Sequence, residues 1–391
     1  MHYRPLSEAD AERYLAIESY AFSSNPDRSG LNAERLARFR GLFVDGALVA
    51  QLQLIPLQVR TGVGVAAAAG IGSVASPPEA RRRGYVATLL RNLADELRAG
   101  GTSLAILYPF KRSFYSRYGW ATFFERRVYR GEIARFASFK RAPGAFTPAG
   151  PADIPELDRI YRRALHGRFG LIVRDEAWWR EQVLQDWEGR QWHAYIWRDE
   201  QGQGRSYMVY RLERESEGRR LFCREIAATD PLSRAQLFAF FALHQDQVFG
   251  VRFPAPADAP VNMLLPDPLE CTVEPHFMLR LLDVPAALEA HSFAREAAGR
   301  LTLAVSDDWI AENQAVYELE FDHGRCRVRR LPATQEADLS CDVATLAQIY
   351  SRYLPPRTAA AFGLLTVADR SALALAERAF AGLAPFCTDF F

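Results

Sequence analysis

The chain has 391 residues, 49% hydrophobic and 12% aromatic, which exceeds what one ordinary core takes up and implies two or three domains. Its 48 Lys and Arg against 47 Asp and Glu leave no overall field that would draw it to nucleic acid or to an anionic membrane, so any polyanion site has to be local. Five scattered cysteines (Cys223, Cys271, Cys326, Cys341, Cys387) form no C-x-x-C pair, and no apolar run reaches membrane length; this composition predicts reduced thiols, a cytoplasmic location, no leader and no membrane span.

Taken in chain order, Ser7 opens a helical pattern that places Tyr14, Leu15, Ile17 and Tyr20 near one face. Asp45-Gly46 is a two-residue hairpin turn between Leu42-Phe43-Val44 and the alternating Leu52, Leu54, Leu57 and Val59. A glycine-containing strand, 70–75, leads to Glu79, from which Val86, Leu89, Leu90, Leu93, Ala94 and Leu97 recur at helical spacing until Gly100-Gly101. Residues 103–108 read as a central strand and 110–118 as a short helix. The Pro- and Gly-rich stretch 140–151 reads as a loop and sets a boundary near residue 145. Beyond it, Ala152-Asp153 followed by Leu157, Ile160 and Tyr161 echoes Ala9-Asp10 followed by Tyr14, Leu15 and Ile17, as an internal duplication would. The last third opens near Pro285 with a helical stretch, 286–298. It continues with strands at 301–305 and 316–321, a helix at 342–353 and an apolar terminus, 380–391, suited to burial.

The chemistry concentrates where the first long helix begins. Arg81-Arg82-Arg83-Gly84-Tyr85 joins unpaired helix N–H groups, a glycine that lets the main chain approach phosphates, and guanidinium groups for charge-assisted bonds. Such a loop suits the pyrophosphate of a CoA thioester. Downstream, Tyr115 and Tyr118 are both phenols able to protonate a departing thiolate, and spacing alone does not choose between them. The seven histidines show no metal-ligand spacing, so no metal is expected, and Trp178-Trp179 reads as helix packing.

The loop resembles the GNAT acetyltransferase signature of Arg or Gln, two residues, Gly, one residue, then Gly or Ala. It matches at Arg81 and Gly84, with Val86 standing at the last position. The whole chain is similar to the Eis (enhanced intracellular survival) family. The similarity rests on 73–75 running to Arg81-Arg82-Arg83-Gly84, on Phe114-Tyr115 with Gly119-Trp120, on Glu176-Ala177-Trp178-Trp179, and on 282–288. The resemblance implies an α+β protein of three parts: a catalytic GNAT domain (1–145), a second GNAT-like domain without a cofactor site (146–284) and a sterol-carrier-protein-like α/β domain (285–391). It implies acetyl-CoA as co-substrate, pantetheine contacts from the main chain of Val74 and Ser76, Tyr115 as general acid, and the C-terminal carboxylate of Phe391 as the base. The family's acceptors are cationic amines such as polyamines, aminoglycosides or lysine side chains, and its assemblies are hexamers. Where the family has an acidic residue before the terminal Phe, this chain has Phe390, with Asp389 one place earlier. Two rival readings are a lipid-carrier or interaction protein with a relic first domain, and a transferase using charged transfer RNA, which the near-neutral charge disfavours.

Overall fold

The structure is a computed structural model and describes residues 1–23, 31–185 and 189–391. The N-terminal part contains β1 (His2–Pro5), α1 (Ala11–Phe22), α2 (Ala33–Leu36), β2 (Phe39–Val44), β3 (Ala47–Thr61), β4 (Gly64–Ala75), α3 (Tyr85–Ala99), β5 (Leu104–Leu107), α4 (Arg112–Tyr115) and β6 (Ala121–Thr122). The central part contains β7 (Glu125–Glu132), β8 (Ala145–Ala149), α5 (Ile154–Ala164), β9 (Phe169–Ile172), α6 (Glu176–Trp178), β10 (His193–Arg198), β11 (Gly204–Glu215), β12 (Gly218–Ala228), α7 (Pro231–Ala242), β13 (Gly250–Pro256) and β14 (Glu270–Pro275). There follow β15 (Met278–Leu281), α8 (Val284–Ala290), β16 (Gly299–Ser306), β17 (Ala315–Asp322), β18 (Arg325–Leu331), β19 (Leu339–Asp342), α9 (Val343–Tyr350), α10 (Pro356–Ala361), β20 (Thr366–Val367) and α11 (Arg370–Ala379).

Three sheets result. The first runs β1-β2-β3-β4-β5-β15-β6, with β9 also on β3; the second runs β8-β10-β11-β12-β13-β7-β14; the third runs β18-β17-β16-β19-β20. The first two match place for place and exchange one strand: β7 follows β6 in the chain but sits in the second sheet, and β15 follows β14 but sits in the first. The duplicated opening matches in detail, because Asp10 accepts from the Ser7 N–H at 2.8 Å and Asp153 from the Gly150 N–H at 2.9 Å.

The structure corrects several local expectations. The chain enters the second sheet at β7, ahead of the boundary near 145, because strand exchange and not Pro/Gly punctuation decides membership. The stretch 140–151 holds β8, an edge strand whose Pro148 costs no internal ladder bond. The helix expected from Glu79 starts at Tyr85, so the three arginines precede its first turn. Tyr20 is exposed, and the stretch 286–298 is helical only as far as Ala290.

Both faces of the first sheet are covered. Along β4, Ala69 and Ile71 face α3 with Leu89, Leu90 and Leu93, while Ala66 and Ala68 face a core continuous with the C-terminal domain. Gly70 and Gly72 continue that second row. Small residues along this row allow the C-terminal part of the chain to approach the strand closely.

Candidate active site

The site forms where β4 and β5 part. They pair in parallel from Ala68↔Leu104 to Ile71↔Leu107, and beyond that β4 continues against β3 alone among the described strands. Gln53 opposes Gly72 and Gln51 opposes Ala75, so β4 carries one extra residue, a bulge at which Ser73 adopts φ 47°. The bulge comes just after β4 leaves β5, so the main chain around Val74 has no strand partner on that side among the described strands, at the C-terminal ends of parallel strands, where α/β sheets bind ligands.

Glu18 supports the bulge from α1. Its carboxylate accepts from Ser73 Oγ at 2.9 Å and from Gln51 Nε2 at 3.1 Å. Burial pushes its pKa up, against the two hydrogen bonds and Arg35, which lower it. In the sequence, Glu18 is marked only as a carboxylate four residues after Tyr14 in an otherwise apolar stripe.

The arginine loop lies just beyond. Arg81, Arg82, Arg83 and Gly84 are exposed and Tyr85 is half-buried. Arg82 at φ 59° and Gly84 at φ 78° alternate with extended or helical neighbours, a chain path that gathers successive N–H groups, and no side chain caps α3. Arg81 donates to the Ser76 carbonyl at 3.4 Å and lies 5.3 Å from the Tyr20 ring.

Tyr115 is buried on the α3 face of the sheet, among Ile71, Leu107, Leu90 and Trp120, and its ring meets Phe110, Phe114 and Trp120 edge-on. Burial raises its phenol pKa, so the group stays protonated through neutral pH. Tyr118, half-buried, instead packs on Trp309. The last residue arrives from the opposite face. A Cβ placed on Gly70 would lie 2.8 Å from Phe391 Cε2, and one placed on Gly72 would lie 3.9 Å from the terminal carboxyl carbon. The Phe391 ring stacks on Phe277 at 4.9 Å and 18°, directly before β15, and meets Trp178 at 6.3 Å. Tyr108, just after β5, packs against Phe390 at 5.0 Å. Thus Val74, the arginine loop, Tyr115 and Phe391 gather at one end of the first sheet.

A buried ionic clamp holds the tail. Arg174 donates to Asp389 at 3.0, 3.1 and 3.2 Å, to Glu225 at 2.9 and 2.5 Å and to Thr388 at 3.2 Å, while its guanidinium lies 4.0 Å from the Tyr161 ring and 4.5 Å from Trp179. Trp178 Nε1 donates to Asp389 at 2.7 Å, and Tyr207 and Thr388 donate to Glu225. Burial alone would raise the Glu225 pKa, but Arg174 and these donors hold it below the usual carboxylate range. Asp389 is fully buried in this clamp, so its carboxylate is committed to Arg174 and Trp178. Trp178, expected as packing alone, also carries a hydrogen bond to the tail.

Models of an acetyltransferase (GNAT) domain match residues 2–123 and 170–281, and a sterol carrier protein domain matches 284–388. The N-acetyltransferase Eis of Mycobacterium tuberculosis is 26% identical, covering 82% of this chain and 80% of that protein. This chain is an Eis-like GNAT N-acetyltransferase. An uncharacterized N-acetyltransferase of Streptomyces griseus is 27% identical over 97% of both chains. Eis1 from Mycobacterium abscessus shares the fold over 100% of both chains, with a TM-score of 0.80 and 22% identity. The three-part α+β architecture of this Eis-like enzyme is therefore that of two GNAT domains followed by a sterol-carrier-type domain. No described helix is long and apolar enough to cross a membrane, and among the described residues no three His, Cys, Asp or Glu side chains cluster as metal ligands.

Proposed function

We propose that this enzyme moves the acetyl group of acetyl-CoA directly to a primary amine of a cationic, polyamine-like acceptor, an aminoglycoside or a lysine side chain being representatives of the class. The observation that carries the reading is the position of the last residue, whose carboxyl group lies beside Gly72, two residues before Val74. The pyrophosphate would rest on Arg81, Arg82, Arg83, Gly84 and Tyr85, where uncapped N–H groups and the helix dipole favour an anion. The pantetheine arm would follow the main chain of Val74 and Ser76, with the Val74 N–H directed at the developing oxyanion. Tyr115, kept protonated by burial, would donate to the leaving thiolate from one face.

From the other face, the Phe391 carboxylate would orient the amine. Direct proton abstraction from an alkylammonium is uphill by about seven pKa units, roughly 9 kcal/mol, so the carboxylate's main contribution is stabilising the positive charge that develops on nitrogen. With Asp389 committed to Arg174, the terminal carboxylate is the acid of the tail left to meet the amine. A hexameric assembly belongs to the same reading and is checked by light scattering.

The test follows CoA thiol release with polyamines, aminoglycosides and lysine peptides, comparing wild type with Tyr115→Phe and with Phe391 deleted. Each variant should lower kcat at least about tenfold, the low end of general acid–base effects. A residue added after Phe391 should depress kcat, while an N-terminal extension should not. Rates within twofold of wild type in both variants would remove Tyr115 and Phe391 from the mechanism.

A further inference from the structure

The second sheet repeats the construction of the first, with its charges rearranged. Val209 opposes Glu225 and Tyr210 opposes Cys223, so β12 carries an extra residue, Arg224, as β4 does at its own bulge. The parallel pair β12–β13 runs only from Arg220↔Gly250 to Phe222↔Arg252 and then parts. Here, however, the following helix cannot receive a pyrophosphate. Asp230 caps α7, accepting from Ser233 N–H at 2.9 Å, and Pro231 occupies its first turn, so an anion would meet a carboxylate where α3 offers free N–H groups.

Positive charge gathers instead inside the parting of the strands. A cavity of about 200 Å³ opens there, with Arg126, Arg211 and Arg252 among the residues that line it. Arg126 and Arg252 share the single carboxylate of Glu274, at 3.0 and 3.2 Å. Arg211 pairs with Glu213 through Nε at 2.7 Å, but its Nη1 is buried with no partner among the described residues. The guanidinium of Arg211 lies 4.6 Å from the Trp192 ring and 5.0 Å from Phe222, and that of Arg252 lies 5.0 Å from Phe222. Such stacking fixes the flat faces of the guanidinium groups and leaves N–H edges to bind an anion. Thr388 and Phe390 complete the wall, which ties the cavity to the tail entering the acetyl-transfer site.

We propose that this second cleft binds a compact polyanion, a small molecule with two or more carboxylate or phosphate groups. The guanidinium groups repel one another across a small space, and an anion would relieve that repulsion while satisfying Arg211 Nη1. The volume is smaller than the ~300–1,000 Å³ typical of drug-sized pockets, which favours a ligand the size of a tricarboxylate or a pyrophosphate over a nucleotide.

Titration calorimetry on the full chain, with CoA at saturation to occupy the first-domain loop, tests this with citrate and pyrophosphate as probes. At low salt at least one probe should bind one per chain with Kd below about 1 mM, and more weakly as salt rises. Arg211→Gln and Arg252→Gln should each weaken binding about tenfold or more, whereas Arg82→Gln should leave it unchanged. If Arg211→Gln fails to fold because its aromatic stack is lost, Arg126→Gln replaces it, since that side chain is 24% exposed. No saturable heat with either probe, or wild-type binding by the glutamine variants, overturns the proposal. Because acetyl transfer is not the readout, either result stands apart from the catalytic assignment.

Discussion

Replacing Gly70 with alanine probes the seat of the last residue. Gly70 lies in a central strand with φ outside the left-handed region, so alanine is allowed by the backbone, and the loss of chain entropy in the unfolded state favours it by about 0.4–1 kcal/mol. Against this, the new methyl would stand 2.8 Å from Phe391 Cε2, 3.0 Å from Leu57 Cδ1 and 3.2 Å from Ile55 Cβ. Carbon–carbon contacts settle near 3.5–4.0 Å, so the Phe391 ring has to move by about 1 Å. Overpacking of this kind costs roughly 1–3 kcal/mol. Deleting Phe391 removes the shortest of the three contacts and leaves a leucine methyl that can turn aside and Ile55 Cβ, which has to give by only a few tenths of an ångström, so Gly70→Ala should then cost much less. Chemical denaturation of the four proteins of this cycle should give a coupling of about 1–2 kcal/mol. With the tail intact, a 1 Å misplacement of the carboxylate should lower kcat by up to about 100-fold. Gly72→Ala, whose methyl meets nothing closer than 3.6 Å, serves as the stability control. An equal cost of Gly70→Ala in both backgrounds, with kcat changed less than twofold, would refute the placement of Phe391.

Asp389→Ala leaves Arg174 Nε and Trp178 Nε1 without their buried acceptor while Glu225 keeps the remaining guanidinium edge. It should cost about 3–5 kcal/mol by chemical denaturation and lower kcat, with Asp389→Asn milder on both counts. Glu18→Gln tests a stability–function conflict through pH: the folded-state pKa of Glu18 is raised, so its favourable contribution is complete below the unfolded value and is lost as pH rises through the folded one. The glutamine variant should therefore be more stable than wild type at pH 8, the difference vanishing below about pH 4, while turnover falls because Ser73 and the bulge lose their anionic partner. A stability difference between Glu18→Gln and wild type that is no larger at pH 8 than at pH 4 contradicts this.

Local signals made much of the first domain legible. Asp45-Gly46 turns the β2–β3 hairpin with φ 49° and 82°, and the buried positions of α3 are five of the six that its spacing marked. The arginine loop could be read because residue type alone supplies its donors. Long-range pairing left no comparable mark. Nothing in Glu125–Glu132 announces that it crosses to the second sheet, since an alternating strand fits either partner. β8 was hidden by Gly144 and Pro148, which punctuate a loop and an edge strand alike. The Arg174 clamp joins residues more than 200 positions apart, and only the fold brings them together. The contact of Phe391 with Gly70 and Phe277 depends on the geometry of three segments at once.

The exchanged strand and the clamped tail explain what a GNAT domain with a blocked helix terminus contributes to the enzyme. Along β4, Gly70 and Gly72 leave a narrow space on the face away from α3, bordered by Leu57 and Ile55 of the same domain. The space is filled by Phe391, whose ring rests on Phe277 between the exchanged β14 and β15. The tail reaches that position because Asp389 and Thr388 are fixed to Arg174 and Glu225, both of the central part. Glu225 itself follows directly on the β12 bulge, the feature that in β4 comes just after the strand leaves β5. The same strand distortion thus serves two ends: in one copy it carries β4 on away from β5, and in the other it turns a carboxylate inward to anchor the chain terminus. In the mechanism proposed above, the central domain, whose own helix is capped by Asp230, contributes to acetyl transfer by setting the position of the terminal carboxylate through Arg174 and Glu225.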